Sequence, residues 1–207
     1  MAGERADPKI LLVEGVDDEH VVKRLCEHHN YGEEFGILDK KGFPNLVPAI
    51  SPESKVPGRV ALGILLDAND NPSGRWDAVT YQLRVAGYTP PARMASNGTI
   101  ISGTDARPRV GIWLMPDNGT KGQLEDFIQE LIPGCDPVLP LAAAYVAKIT
   151  GNARKFTNRK AQRAKIHAWL AARKEPRKMG QAILAGDLDA NAQPAKHFVD
   201  WLRRLFG

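Results

Sequence analysis

The chain has 207 residues, 43% hydrophobic and 25% charged, with a net charge of +4, so it can bury the core of one globular domain and is not disordered throughout. No apolar run approaches the roughly 18–20 residues that a membrane-spanning helix needs, and the charged N-terminus predicts no secretory signal. Two cysteines far apart in the sequence, Cys26 and Cys135, favour neither a disulfide scaffold nor a thiolate zinc site. We therefore expect a reduced protein of the cytoplasm.

The first two thirds of the chain alternates short apolar runs with helical patterns. The predicted strands cover residues 9–13, 35–39, 59–67, 98–102 and 109–115, and the predicted helices cover 18–30, 73–85 and 122–131. The run at 59–67 is almost entirely apolar, as in a central parallel strand, and Ser73 is the predicted N-cap of the helix that follows it. The last two strands are predicted to pair antiparallel at one edge. This alternation predicts an α/β fold with a mostly parallel sheet flanked by helices.

The last third of the chain contains helical patterns only. They cover residues 141–149, 158–173, 181–185 and 194–206. We predict an α/β domain over residues 1–135 and a helical C-terminal extension over 136–207. Since no clear linker separates the two parts, the extension is expected to pack on the same domain.

Positive charge is concentrated in one segment of this extension. Residues 151–178 hold ten of the 28 Lys and Arg residues but one of the 24 acidic residues, which gives a local charge of +9 beside −5 for the remainder. A basic segment beside an acidic body is expected where a metal-binding carboxylate cluster works on a polyanion. The alternative is a solvated basic helix that binds nothing. The predicted contacts to nucleic-acid phosphates are Arg154, Lys155, Arg159, Lys160 and Arg163.

Acidic residues follow the predicted strands. Glu14 comes directly after the first strand, Asp67 ends the large apolar strand, and Asp117 and Glu125 follow the last one. Ligands of open α/β sheets bind outside the carboxyl ends of the strands, so these side chains are expected to gather at one edge. Crowded carboxylates are unfavourable unless a cation neutralises them, and hard divalent ions prefer oxygen ligands. The pattern predicts a Mg²⁺ or Mn²⁺ site; the alternative is that each acid only caps a helix.

Two motifs carry a resemblance to a known family. LLVEGVDDEH, followed some fifty residues later by ILLDAND, resembles the Toprim signature of a Glu after one strand and Asp-x-Asp after a later one. Toprim domains occur in topoisomerases, primases and the nucleases of the OLD family. The rest of the chain, including VGIWLMPDNGTKGQLEDF, KAQRAKIHAWLA and FVDWLRRLF, resembles a family of small stand-alone Toprim-related proteins of unassigned function.

The resemblance implies roles for particular residues. Glu14 matches the catalytic Glu of the motif, and Asn69 stands at the second Asp of Asp-x-Asp, which puts tight binding of a second metal in doubt. Asp70, next to Asn69, could substitute if the turn bends suitably. The implied metal ligands are Glu14, Asp18, Asp67, Asn69, Asp70 and Glu125. Lys165, with Lys160 as the second choice, matches the lysine by which OLD-type nucleases stabilise phosphate charge.

The resemblance and the charge distribution together predict a metal-dependent nuclease that acts on DNA or RNA in phage defence or repair. OLD-type Toprim modules work with an ATPase, and this sequence has no Walker loop, so a separate ATPase partner is expected. One alternative is a non-catalytic module that binds nucleic acid or a nucleotide, which Asn69 favours. Another is a hydrolase of a small phosphorylated molecule, which would not need the basic segment. The sequence does not decide between a monomer and a homo-oligomer.

Overall fold

The computed structural model describes residues 7–32 and 34–207, and its centre is a five-stranded sheet in the order β2-β1-β3-β5-β4. The strands are β1 (Lys9–Val13), β2 (Gly36–Asp39), β3 (Ala61–Asp67), β4 (Thr99–Ile101) and β5 (Arg109–Met115). All neighbouring pairs are parallel except β4 and β5, which are antiparallel. The predicted α/β class and the antiparallel edge are thus confirmed. Residues 1–6, which carry part of the charge on which the absence of a secretory signal was predicted, lie outside the described residues.

Helices cover both faces of this sheet. They are α1 (Val16–His28), α2 (Phe43–Glu53), α3 (Pro72–Val85), α4 (Leu124–Glu130), α5 (Val138–Lys148), α6 (Ala161–Ala171), α7 (Met179–Leu184) and α8 (Gln193–Phe206). Two short 3-10 helices, Gly151–Ala153 and Asn158–Lys160, lie between α5 and α6. In the described part of the chain, no helix is long and apolar enough to cross a membrane.

The sheet separates two hydrophobic cores. On one face, α2 and α3 cover β-strand residues such as Leu62 and Ile64. On the other face, α1, α4 and the C-terminal helices pack together around Leu11 and Trp113. Helix α8 lies so close to the strands here that a Cβ on Gly111 would collide with the side chain of Leu205. The C-terminal helices therefore share a core with the sheet.

Two features of the local structure differ from the sequence predictions. Helix α2 was not predicted, because Pro48 and Pro52 interrupt its helical pattern. It forms nevertheless because its apolar side, including Leu46 and Ile50, is buried against the sheet. The prediction of Ser73 as an N-cap was wrong: α3 begins earlier, and the side chain of Asn71 accepts the hydrogen bond from Gly74 N at 2.9 Å.

Candidate functional site

Four acidic side chains from separate elements meet at the carboxyl edge of the sheet. Glu14 follows β1 and Asp67 ends β3, and because these strands are parallel neighbours, Asp67 N donates to Glu14 Oε1 at 3.1 Å. Asp18 lies in the first turn of α1 and Glu125 in the first turn of α4. All four line one cavity of about 260 Å³. Its other lining residues are Gly15, Val16, Asp17, Gln123, Leu124 and Arg163.

Burial and mutual repulsion disfavour the ionised forms of these acids. Burial, followed by the charges of Glu14 and Glu125, raises the pKa of Asp67 to about 7. Burial and then the charges of Asp67 and Glu14 raise the pKa of Asp18 well above its usual value. The pKa values of Glu14 and Glu125 are raised as well, since burial outweighs the nearby arginines. The cavity therefore favours the uptake of protons or of another cation.

Backbone amides fix the directions of three of these carboxylates. Besides the bond from Asp67 N to Glu14, Asp18 Oδ2 accepts from Gly15 N at 2.9 Å as part of the capping box of α1. Asp67 Oδ1 accepts from Leu124 N at 2.9 Å, which ties β3 to the start of α4. Each of these bonds occupies one oxygen of its carboxylate.

The donor set fits a hard divalent cation in its chemistry. Carboxylate oxygens are the ligands that Mg²⁺ and Mn²⁺ prefer, and Asp18 and Glu125 are only 7% and 4% exposed. Among the described residues, however, no group of three or more His, Cys, Asp and Glu side chains is already arranged to hold a metal ion. Binding of a cation would therefore require the carboxylates to rotate towards one another.

Three arginines neutralise part of this negative charge. Arg75 on α3 brings Nη1 to 3.9 Å from Glu14 Oε1, and its guanidinium lies 3.6 Å from the centre of the Phe43 ring. Arg163 on α6 lines the cavity and pairs with Asp17 and Glu125. Arg159 lies beside the cavity, where its Nε is 3.2 Å from Asn69 Oδ1.

The other two predicted metal ligands, Asn69 and Asp70, are not among the residues that line the cavity. Asn69 has a positive φ of 53° and exchanges two backbone hydrogen bonds with Gly122, so it joins the loops that follow β3 and β5. The Asp70 side chain is 76% exposed and lies 3.8 Å from Arg159. Asp117, another acid at a strand end, bonds to Gly119 and Thr120 in its own loop.

The predicted catalytic lysine, Lys165, does not line the acidic cavity. Lys165 Nζ donates to Gln129 Oε1 on α4, and partial burial lowers its pKa while the nearby Asp126 opposes that effect. Its role towards phosphate stays a prediction. Of the other predicted phosphate contacts, Lys155 and Lys160 are exposed, and the Arg154 guanidinium lies 4.8 Å from the centre of the Phe156 ring.

Of the arginines at the site, Arg75 was not predicted from the sequence, and Arg163 was predicted only as a member of the basic segment. Arg75 had no signal beyond its position in the helix after β3, since its approach to Glu14 depends on how α3 packs. Arg163 was predicted as a phosphate contact, but its position among the acids depends on the packing of α6 against α1 and α4. Asp17, which also lines the cavity, was not among the predicted ligands.

The chain belongs to the family described as "Protein of unknown function (DUF3226)", which matches residues 8–207. The match spans both the sheet and the C-terminal helices. No curated protein and no solved structure matches the chain.

Proposed function

We propose that the protein is a Mg²⁺- or Mn²⁺-dependent phosphodiesterase that cleaves nucleic acid. The observation that carries this proposal is the shared cavity of Glu14, Asp18, Asp67 and Glu125. Burying several carboxylates together costs free energy unless a cation compensates them, so a divalent ion gives this arrangement a physical reason. The resemblance of the motifs around Glu14 and Asp67 to Toprim domains supports the same chemistry.

These four carboxylates would hold the ion. When bound, it would offset the negative charge that develops on the phosphate and increase the acidity of a coordinated water. The backbone bonds from Gly15, Asp67 and Leu124 keep three of the ligands at the cavity before binding, and the carboxylates would then rotate towards the ion. The low exposure of Asp18 and Glu125 limits competition from bulk water.

The basic segment supports a polyanionic substrate. Arg159 and Arg163 contact the acidic edge directly, and Lys160 is exposed beside them. We propose that this segment, with Arg154 and Lys155 further along it, binds the phosphate backbone. Such binding would be independent of sequence and would weaken with salt. Lys165, two residues after Arg163, would stabilise phosphate charge if its bond to Gln129 is exchanged for the substrate.

A non-catalytic binding module is the second candidate, and Asn69 favours it. This residue replaces the second acid of Asp-x-Asp, and its carboxamide oxygen is paired with Arg159 instead of facing the cavity. Fewer negative ligands weaken the binding of a second ion, and hydrolysis by two metals would then be lost while affinity for nucleic acid persists.

We further propose a working context for this activity. The sequence has no Walker loop, so an ATP-driven step in phage defence or repair would need a separate ATPase partner. Both cysteines are free thiols, which fits a reducing compartment such as the cytoplasm.

The decisive experiment incubates plasmid DNA, single-stranded DNA and single-stranded RNA with the protein and either Mg²⁺ or Mn²⁺. We expect cleavage of at least one substrate, its loss in EDTA, and its loss in Glu14→Gln and Asp67→Asn. Asp70→Asn is the matched control, because it removes an acid of the same edge that lies outside the cavity. Salt-sensitive binding without cleavage would support the non-catalytic module, and absence of both would contradict a nucleic-acid substrate.

A further inference from the structure

Arg163 lines the acidic cavity, and its guanidinium pairs with two acids there. Its Nη2 is 3.3 Å from Asp17 Oδ2, and its Nε is 3.4 Å from Glu125 Oε1. The two acids belong to α1 and α4, whereas Arg163 comes from α6 in the C-terminal part of the chain. One cation therefore bridges two acids that the strands and their helices bring to this edge.

The surroundings of Arg163 differ from those of a buried structural arginine. Its side chain is 50% exposed, while that of Glu125 is 6% exposed. A half-exposed guanidinium contributes little to folding stability and can turn to solvent at low cost, but the buried carboxylate cannot leave. The mobile member of the pair is therefore the cation.

A divalent ion and the guanidinium would compete for Glu125. Glu125 is paired with Arg163 and is also one of the four acids proposed to hold the ion. A guanidinium released from a carboxylate keeps its charge, and its planar fork of donors matches two oxygens of a phosphate. Arg159 and Lys160 are exposed and precede Arg163 by three to four residues, so a polyanion bound to this segment would lie near the released group.

We propose that Arg163 is the counter-ion of the acidic cavity in the metal-free protein and the residue that binds the substrate phosphate next to the ion once a divalent cation replaces it. This inference rests on the proposed function and adds to it a specific phosphate-binding residue. In the described residues, which hold no ready metal cage, one of the four proposed ligands, Glu125, is already paired with this guanidinium.

The test measures Mn²⁺ affinity of the full chain by isothermal titration calorimetry. We expect Arg163→Gln to bind Mn²⁺ about three- to tenfold more tightly than the wild type, because a half-exposed guanidinium no longer competes for Glu125 and its charge no longer opposes the ion. Arg159→Gln is the matched control: it removes the same charge from the same segment at 53% exposure, and Arg159 does not line the cavity. Its Mn²⁺ affinity should rise much less than that of Arg163→Gln, because Arg159 acts on the acids only from beside the cavity.

A second measurement tests the phosphate role. At saturating Mn²⁺, we expect Arg163→Gln to bind a single-stranded oligonucleotide more weakly and to lower kcat/KM for cleavage by about tenfold or more. Arg163→Lys keeps a positive charge without the fork, so its Mn²⁺ affinity should stay near that of the wild type while its kcat/KM falls. A thermal melt of each variant verifies folding.

The outcomes separate this inference from the proposed function. If the wild type binds no Mn²⁺, the proposed metal site and this inference are both wrong. If the wild type binds Mn²⁺ and Arg163→Gln binds it equally or more weakly, only the counter-ion role is overturned. If affinity for Mn²⁺ rises in Arg163→Gln but its kcat/KM is unchanged, the guanidinium competes with the ion and the phosphate-binding role is overturned.

Discussion

Replacing Asp67 with Asn should stabilise the metal-free protein at alkaline pH. The asparagine keeps the size of the side chain and an oxygen that can accept the bond from Leu124 N, and it removes one of the crowded negative charges. The pKa of Asp67 is raised from 3.8 to about 7 by burial and by the charges of Glu14 and Glu125. The folded state therefore holds a proton that the unfolded state releases.

The raised pKa of Asp67 determines both the sign and the size of the stability change in Asp67→Asn. Each tenfold change in a proton-binding constant corresponds to about 1.4 kcal/mol, so the difference between 3.8 and about 7 corresponds to at most about 4 kcal/mol. The stability from the protonated acid is fully present below pH 3.8 and is lost as the pH rises towards 7. Glu14 and Glu125 ionise more easily once Asp67 is neutral, so we expect about 2–4 kcal/mol for Asp67→Asn at pH 8.

Urea denaturation in EDTA at pH 4.5 and pH 8 measures this difference. We expect Asp67→Asn to unfold at higher urea concentration than the wild type at pH 8, and this gain to fall to about 1 kcal/mol or less at pH 4.5. Asp70→Asn removes an exposed acid of the same edge and should change neither midpoint appreciably. A gain that is equal at both pH values, or a loss at pH 8, would refute the crowding of charge at this site.

Three further changes test other parts of the structure. Adding Mn²⁺ at pH 8 should raise the melting temperature of the wild type and not that of Asp67→Asn, as a differential scanning calorimeter would show; equal shifts would place the ion elsewhere. Arg75→Gln leaves Glu14 buried without its nearest cation. In urea denaturation at pH 8, this change should lower the free energy of unfolding by about 1–3 kcal/mol. Arg84→Gln, on the exposed side of α3, should leave the free energy of unfolding unchanged. Asp136→Ala removes the acceptor of four hydrogen bonds at the start of α5 and should cost about 2–4 kcal/mol in urea at pH 7. Burial raises the pKa of Asp136, but these hydrogen bonds outweigh burial and hold the pKa below 3.8. The stability lost in Asp136→Ala should therefore shrink as the pH falls below 3.8. A loss of stability that is independent of pH would contradict this role of the carboxylate.

The acidic edge could be predicted because it depends on few long-range facts. Parallel neighbours end at the same side of a sheet, so two apolar runs that end in Glu14 and Asp67 already place these acids together. Asp18 follows from its position in the first turn of the helix after β1. In contrast, the place of Asn69 depends on its positive φ and its pairing with Gly122, which a motif that matches residue types does not encode.

The remaining features depend on packing between elements distant in the sequence. Helix α2 forms because the sheet buries its apolar side, although local propensity at Pro48 and Pro52 opposes it. The positions of Arg75 and Arg163 depend on how α3 and α6 lie against the sheet, and a charge pattern cannot specify that. The basic segment was visible in the sequence, but which of its arginines reaches the acids was not.

The acids of the cavity are held by interactions that do not depend on a metal. Backbone amides orient Glu14, Asp18 and Asp67, and Arg163 supplies positive charge to Glu125. The fold can therefore form first and bind a cation afterwards. Repulsion between the crowded acids lowers the stability of this metal-free fold. It follows that substitutions which neutralise these acids should stabilise the metal-free chain while abolishing activity, whereas substitutions in the hydrophobic cores should reduce both stability and activity.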